Sequence, residues 1–320
     1  MIEIDGPQHR NRAAADHDGH SIPAPNTSSV VIALAAYHES AMTLPREPLK
    51  IGDAGYDMSA APPDAWRLFD PEAPDPGYFE FDWISARHPD LYHRFALTTE
   101  GLTAELQRLV DFRGLDVIDV GAGTGRSAIG LASSASHVLA VDAYASVIEF
   151  GKRMVHAANV TNVTYSRADR SQLPVPDSSV DAVVCCWAEL DRAEAARVLK
   201  PNGWLIHMGG HPDEPGELQP LLDEQFPQMA SAAMRDDATL PDRAPVDLEF
   251  LGEKEWPDVR LADGVLRARD FTYTADYGSP EEAAAIFGRI FGPKIGDYFT
   301  DRNQATNWSR LRIYYGRVAT

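Results

Sequence analysis

The segment Val117-Ile-Asp-Val-Gly-Ala-Gly-Thr-Gly-Arg126 decides how this chain folds. It is an apolar run closed by an acid, followed by glycines at every second position and then by the opening of a helical pattern. A short continuous apolar run marks a parallel strand buried on both faces, and Leu115 to Val120 fits it, with Asp119 near its end. Gly121, Gly123 and Gly125 let the backbone turn sharply and approach a ligand with no Cβ in between. Thr124 to Ala132 then starts a helix whose first N–H groups face the same point, the geometry of a nucleotide-like cofactor site. The dinucleotide fingerprint places glycines at the first, third and sixth positions of the turn; here the sixth is Arg126, and the third glycine comes one residue early.

Strand and helix patterns alternate downstream. His137 to Val141 reads as a second strand ending in Asp142, and Ala145 to Ala158 has helical spacing through Val147, Ile148, Phe150, Met154 and Val155. An acid at the tip of the second strand, about twenty residues beyond the glycines, sits where a carboxylate accepts ribose hydroxyls. Asn162 to Arg167 is a third strand leading to Ala168 and Asp169, and Val180 to Trp187 is a strongly apolar fourth, followed by Glu189. Asp191 caps a helix over Arg192 to Leu199, with Glu194 at capping-box spacing. Lys200-Pro-Asn-Gly203 ends that helix and Trp204 to Met208 is the fifth strand. The bland alternatives are a tight strand-to-helix turn at the glycines, a helix cap at Asp142 and a solvated turn at Asp169.

The pattern acid-x-Gly-x-Gly-x-Gly around Asp119 resembles the first motif of the class I S-adenosylmethionine-dependent methyltransferases. The strings ADRSQLPVPDSSVDAVVC and RVLKPNGWLI resemble later segments of the same family, so the resemblance covers residues 115 to 210 in order and spacing. It implies S-adenosyl-L-methionine as cofactor and no metal. Asp119, Gly121, Ala122, Gly123 and Gly125 would hold the amino acid end of that cofactor. Asp142 would take the ribose, with Ala143 and Tyr144 flanking the adenosine; Asp169 would bond the adenine amino group beside Ala168; Trp187 would complete the cofactor site. The expected fold is α/β: a doubly wound, Rossmann-like, seven-stranded, mostly parallel sheet with an antiparallel last strand, supplied by Trp308 to Val318 as an edge, plus an N-terminal cap.

Residues 1–28 mix His, Asp, Asn, Pro and Ala without periodicity and read as a disordered tail. Residues 29–113 are proline-rich and carry aromatic residues Tyr78, Phe79, Phe81, Trp83, Tyr92 and Phe95, a cap or lid region ending in a helix over Leu97 to Leu109. Residues 114–320 form the cofactor-binding domain, with an acceptor-side insert at about 211–300 in which 229–270 are acidic and hard to assign and Ser279 opens a helix. The net charge of −19 argues against nucleic acid or an anionic membrane surface as partner. Cys185 and Cys186 are adjacent in a strand and read as buried free thiols of a reducing, cytoplasmic compartment.

Methyl transfer from a sulfonium is an in-line displacement, so alignment matters most and a base is needed only where the nucleophile carries a proton. Candidates for that base are His211 after the fifth strand, Glu189 after the fourth and His93 in the cap, while His207 reads as a packed core histidine. The chain has no Asn-Pro-Pro-Tyr or Asp-Pro-Pro-Tyr after the fourth strand, which argues against the amide or base N-methylation of relatives with that motif and favours a small-molecule acceptor. A homodimer could be built from the cap or the last strand. A nicotinamide-dependent oxidoreductase and a non-catalytic cofactor-binding protein are the alternatives; the glycine spacing and the lack of a Tyr-x-x-x-Lys pair weigh against the first.

Overall fold

A computed structural model describes residues 85, 88–96, 102–211, 216–225 and 245–319. The expected tail at 1–28, most of the cap, its aromatic residues Tyr78, Phe79, Phe81 and Trp83, and part of the acceptor-side insert lie outside the described residues. The glycine-flanked apolar run forms β1 (Asp116–Val120), buried along nearly its whole length. It pairs in parallel with β2 (His137–Asp142) on one side and β4 (Val180–Cys186) on the other. Outside these, β3 (Val163–Arg167) pairs with β2, and β5 (Leu199–Gly210) with β4, again in parallel.

Beyond β5 the sheet changes direction. β6 (Val246–Leu251), β7 (Val265–Asp276) and β8 (Thr306–Arg317) form an antiparallel extension, giving the order β3-β2-β1-β4-β5-β8-β7-β6. Two expectations need correction here. The described sheet has eight strands rather than seven. The last strand in the chain is no edge either, because β8 is inserted between β5 and β7 and hydrogen-bonds to both. The outermost strand is β6, VDLEFL, whose alternating exposed acids suit a one-sided edge and hide its strand character in the sequence.

Helices cover both faces, so the parallel strands are apolar on both sides. One face packs α2 (Leu102–Leu109) and α3 (Arg126–Ala132), through Leu102, Leu106, Ala128 and Leu131, onto Val117, Val138, Val184 and Ile206. Val155 of α4 (Ala145–Ala157) joins the same cluster. The opposite face packs Ala195 and Val198 of α5 (Arg192–Val198) onto Ile118, Leu139, Val183 and Leu205. Asp191 caps α5 by accepting from the Glu194 N–H at 3.0 Å, but Glu194 turns its carboxylate to the Leu173 N–H and to Arg197 rather than back to the cap, so only half of the capping box forms.

A third cluster builds the carboxyl end of β7. There α6 (Pro280–Phe291) and α7 (Pro293–Asp301) bury Ile286, Phe287, Ile290 and Phe299 against Ala275 and Tyr277. The cap helix α1 (Pro89–Phe95) joins this cluster through Leu91, with Phe95 packed edge-on to Phe287 and Phe291. Among the described residues no helix is long and apolar enough to cross a membrane, and no group of three His, Cys, Asp or Glu side chains could hold a metal.

Candidate functional site

The turn after β1 is built on backbone that only glycine adopts easily. Gly121, Gly123 and Gly125 have φ of 68°, 54° and 89°, all left-handed. At Gly121 there is a second constraint, since a Cβ would stand 2.4 Å from the Ala188 Cβ. The helix after the turn starts later than the sequence suggests: Gly125 is its left-handed cap and α3 begins at Arg126, not Thr124.

Asp142, at the carboxyl end of β2, grips this turn. Its carboxylate accepts from the Gly123 N–H at 3.0 Å and from the Tyr144 N–H at 3.0 Å. From below, the Tyr165 hydroxyl of β3 donates to the Gly123 carbonyl at 3.3 Å, so one glycine is held on both sides. Tyr165 reaches it by passing α4 at Gly151, where a Cβ would meet the hydroxyl at 2.2 Å. Burial, with the nearby Asp119 and Asp142 charges, pushes the Tyr165 phenol well above its ordinary range, which keeps it a donor. Sequence reasoning missed Tyr165 and Gly151; the readable signal was a glycine in mid-helix, which costs about 1 kcal/mol against alanine unless packing requires it.

A cleft of about 260 Å³ opens over the carboxyl ends of β1 to β4. Gly121, Gly123, Asp142, Ala143, Ala168, Asp169, Trp187 and Glu189 all line it. Asp169 accepts from the backbone N–H and hydroxyl of Ser171, and these bonds hold its carboxyl below the usual range, so it stays an acceptor. The Ala168 N–H donates to the Asp142 carbonyl at 3.1 Å, and Arg167 to the Ala143 carbonyl at 2.8 Å, which fixes the rim between the two acids. Trp187 is 45% exposed with φ of 63°, a left-handed tryptophan at the end of β4. Strain of this kind on a bulky residue is concentrated at functional sites.

Other expected site residues stand elsewhere. Ala122 lines only a neighbouring cavity of about 30 Å³ under α1 and α2, and Gly125 lines neither space. Asp119 is fully buried beneath the turn, accepting from the Ser127 hydroxyl at 2.6 Å. Its burial pushes its carboxyl up to about 7 against the opposing Ser127 bond, with the Asp142 charge adding to the rise, and among the described residues its Oδ1 has no hydrogen-bond partner.

Of the three candidate bases, only Glu189 borders the cleft, and it forms an ion pair with Arg170. His93 fastens α1 to the glycine turn: Nδ1 meets the Thr124 hydroxyl at 2.9 Å, and its carbonyl accepts twice from Arg126. Burial and the Arg126 charge lower its imidazole to about 4, so it is neutral near pH 7. The His211 side chain is 6% exposed, with Nε2 at 3.1 Å from Asp270 Oδ2 and 3.0 Å from Arg312 Nη2, within a cross-strand cluster of β5, β7 and β8. His207 meets the Ala188 carbonyl at 3.1 Å, under the cleft wall. Burial raises both thiols, Cys185 to about 12, so neither is a thiolate near pH 7.

The donor set suits an adenosyl cofactor. The turn presents a cradle that a Cβ would fill, a carboxylate ends each of the second and third strand units, and an orphaned carboxylate oxygen lies buried beneath. A family model for a methyltransferase domain matches residues 117–203, from β1 into β5. That match supports a class I S-adenosylmethionine-dependent methyltransferase reading for this segment of the chain. S-adenosyl-L-methionine is the cofactor of this methyltransferase family. Similar chains include the uncharacterized methyltransferase YcgJ of Bacillus subtilis, 30% identical over 115 residues that make up 34% of this chain and 44% of the relative. A demethylmenaquinone methyltransferase of Clavibacter sepedonicus is 30% identical over 169 residues, 49% of this chain and 66% of the relative. A phosphoethanolamine N-methyltransferase of Triticum aestivum is 31% identical over 110 residues, 33% of this chain and 21% of the relative. The chain thus matches less than two thirds of the length of each of these relatives. The crystal structure of YcgJ aligns with a TM-score of 0.38 at 19% identity, covering 68% of this chain and 97% of that one.

Proposed function

We propose that the protein transfers the methyl group of S-adenosyl-L-methionine to a small-molecule acceptor. One observation carries this reading: Asp142 and Asp169, from the ends of two successive strand units, border the same cleft as the glycine turn. The cofactor supplies its own leaving group, a sulfonium whose methyl carbon accepts an electron pair while the carbon–sulfur pair stays on sulfur. The chain's part is to bind, align and exclude water. Asp142 accepts the ribose hydroxyls, Ala143 and Ala168 flank the adenosine, and Asp169 accepts from the adenine amino group. The turn at Gly121 to Gly125 holds the amino acid end, with Asp119 beneath as a buried countercharge for an ammonium. An acceptor that carries a proton gives it up as the new bond forms, and Glu189, which borders the cleft, is the group proposed for it; His93, bound to Thr124, and His211, bound to Asp270 and Arg312, do not line that space.

The small-molecule reading is supported by the relatives named for demethylmenaquinone and phosphoethanolamine, and by the acidic charge, which disfavours polyanionic partners. The test is to incubate the protein with methyl-labelled S-adenosyl-L-methionine and a metabolite extract. Label in a small organic fraction is expected; label confined to protein or nucleic acid would contradict the acceptor class.

A further inference from the structure

Where the reacting acceptor stands follows from the order of strand ends. The adenosine-directed acids Asp142 and Asp169 lie over β2 and β3, on one side of the glycine turn. Trp187 lies on the other side. Its backbone N–H donates to the Met208 carbonyl of β5 at 2.9 Å. Its ring stands 3.6 Å from the place a Cβ would take on Gly210, an ordinary van der Waals separation, so the indole lies beside the carboxyl end of β5. A cofactor held by Asp169, Asp142 and the glycine turn would run from the end of β3 to the end of β1, toward the end of β4 that carries Trp187. Trp187 also lines both the large cleft and the small cavity beside it, so its ring stands where the two spaces meet.

From these placements we infer that Trp187 is a platform for the acceptor rather than part of the cofactor wall, and that the acceptor is a flat, uncharged ring that stacks on the indole. This rests on the methyl-transfer reading above. The surroundings favour a ring over a phosphorylated or carboxylated chain. Beside Trp187 the cleft presents Tyr92, Gly121, Cys186 and Ala188, none of them charged. The two arginines of the cleft and cavity are engaged, Arg170 with the Glu189 carboxylate and Arg126 with the His93 carbonyl. The carboxylates of Asp142, Asp169 and Glu189 would repel an anionic acceptor. An exposed indole offers a large, rigid face with few rotors to freeze, suited to stacking.

The experiment uses the full chain with Trp187→Ala and Trp187→Phe. S-adenosylhomocysteine affinity is measured by calorimetry, and 1,4-naphthohydroquinone is then titrated under nitrogen into the protein saturated with S-adenosylhomocysteine. Phosphoethanolamine is the comparison probe. For Trp187→Ala the expected result is an S-adenosylhomocysteine affinity within about twofold of wild type and a naphthohydroquinone affinity lowered about tenfold or more, with Trp187→Phe close to wild type. Equal loss for both ligands would return Trp187 to the cofactor wall and overturn the inference. So would a wild-type protein that binds phosphoethanolamine but not the ring, or neither probe. Failure of wild type to bind S-adenosylhomocysteine at all would instead refute the methyl-transfer reading. Matched unfolding midpoints identify variants that fold normally.

Discussion

Asp142 and Asp119 show how one residue type does two jobs on neighbouring strands. Asp142 holds the Gly123 and Tyr144 N–H groups while keeping access to the cleft. Asp142→Ala is expected to weaken S-adenosylhomocysteine by about tenfold or more in calorimetry, because it removes both the proposed ribose acceptor and the brace on the turn. Gly121→Ala should be as damaging, since it forces a left-handed alanine against Ala188. Asp119 is set apart by burial. Its ionisation lies near 7 in the folded chain against about 4 unfolded, so the folded state holds the extra proton between these values. The stability it contributes is therefore present below about pH 4 and is lost as pH rises to 7. Asp119→Asn should flatten that part of the stability curve, with a higher unfolding midpoint than wild type at pH 8 in the ligand-free protein; an unchanged difference between pH 5 and pH 8 would refute the assignment.

The elements that meet at the turn were unequally legible. β1, β2, β4 and β5 are near-continuous apolar runs because helices bury both faces, and such runs announce themselves. β6 and β7 do not, since VDLEFL and VLRARDFTYTAD carry charges whose partners lie elsewhere in the fold, as those of Arg269 do at Asp247 of β6 and Glu105 of α2. Asp270 and Arg312, which together with His211 tie β7 and β8 to β5, were invisible for the same reason. Asp270→Ala leaves Arg312 buried without that carboxylate, and an unfolding midpoint lower by roughly 5 to 10 °C is expected in a thermal melt. At α1 the link to the turn depends on a neutral His93. Its ionisation is depressed from 6.5 to about 4, so the stability it contributes is complete above pH 6.5 and is lost as pH falls toward 4. Hydrogen exchange in residues 89–95 should be faster at pH 5 than at pH 7 after correction for intrinsic rates; equal protection would detach His93 from that role.

Across the whole molecule, the residues proposed for the cofactor are compact and local in sequence, while those proposed for the acceptor come from distant parts. The turn, Asp142 and Asp169 fall within about fifty residues, because a βαβ unit returns each strand end to the same edge. Trp187, Gly210 and the β7–β8 braces come together only through sheet order, and no spacing rule in the chain announces them. The insertion of β8 between β5 and β7 sets Leu311 beside Gly210 at the carboxyl end of β5, while Arg317 lies beside Trp204 at the opposite end of that strand. Calorimetry with S-adenosyl-L-methionine, S-adenosylhomocysteine and NAD tests the methyl-transfer reading most directly. Saturable binding of both sulfur ligands and none of NAD is expected; binding of NAD with no response to either sulfur ligand would contradict it.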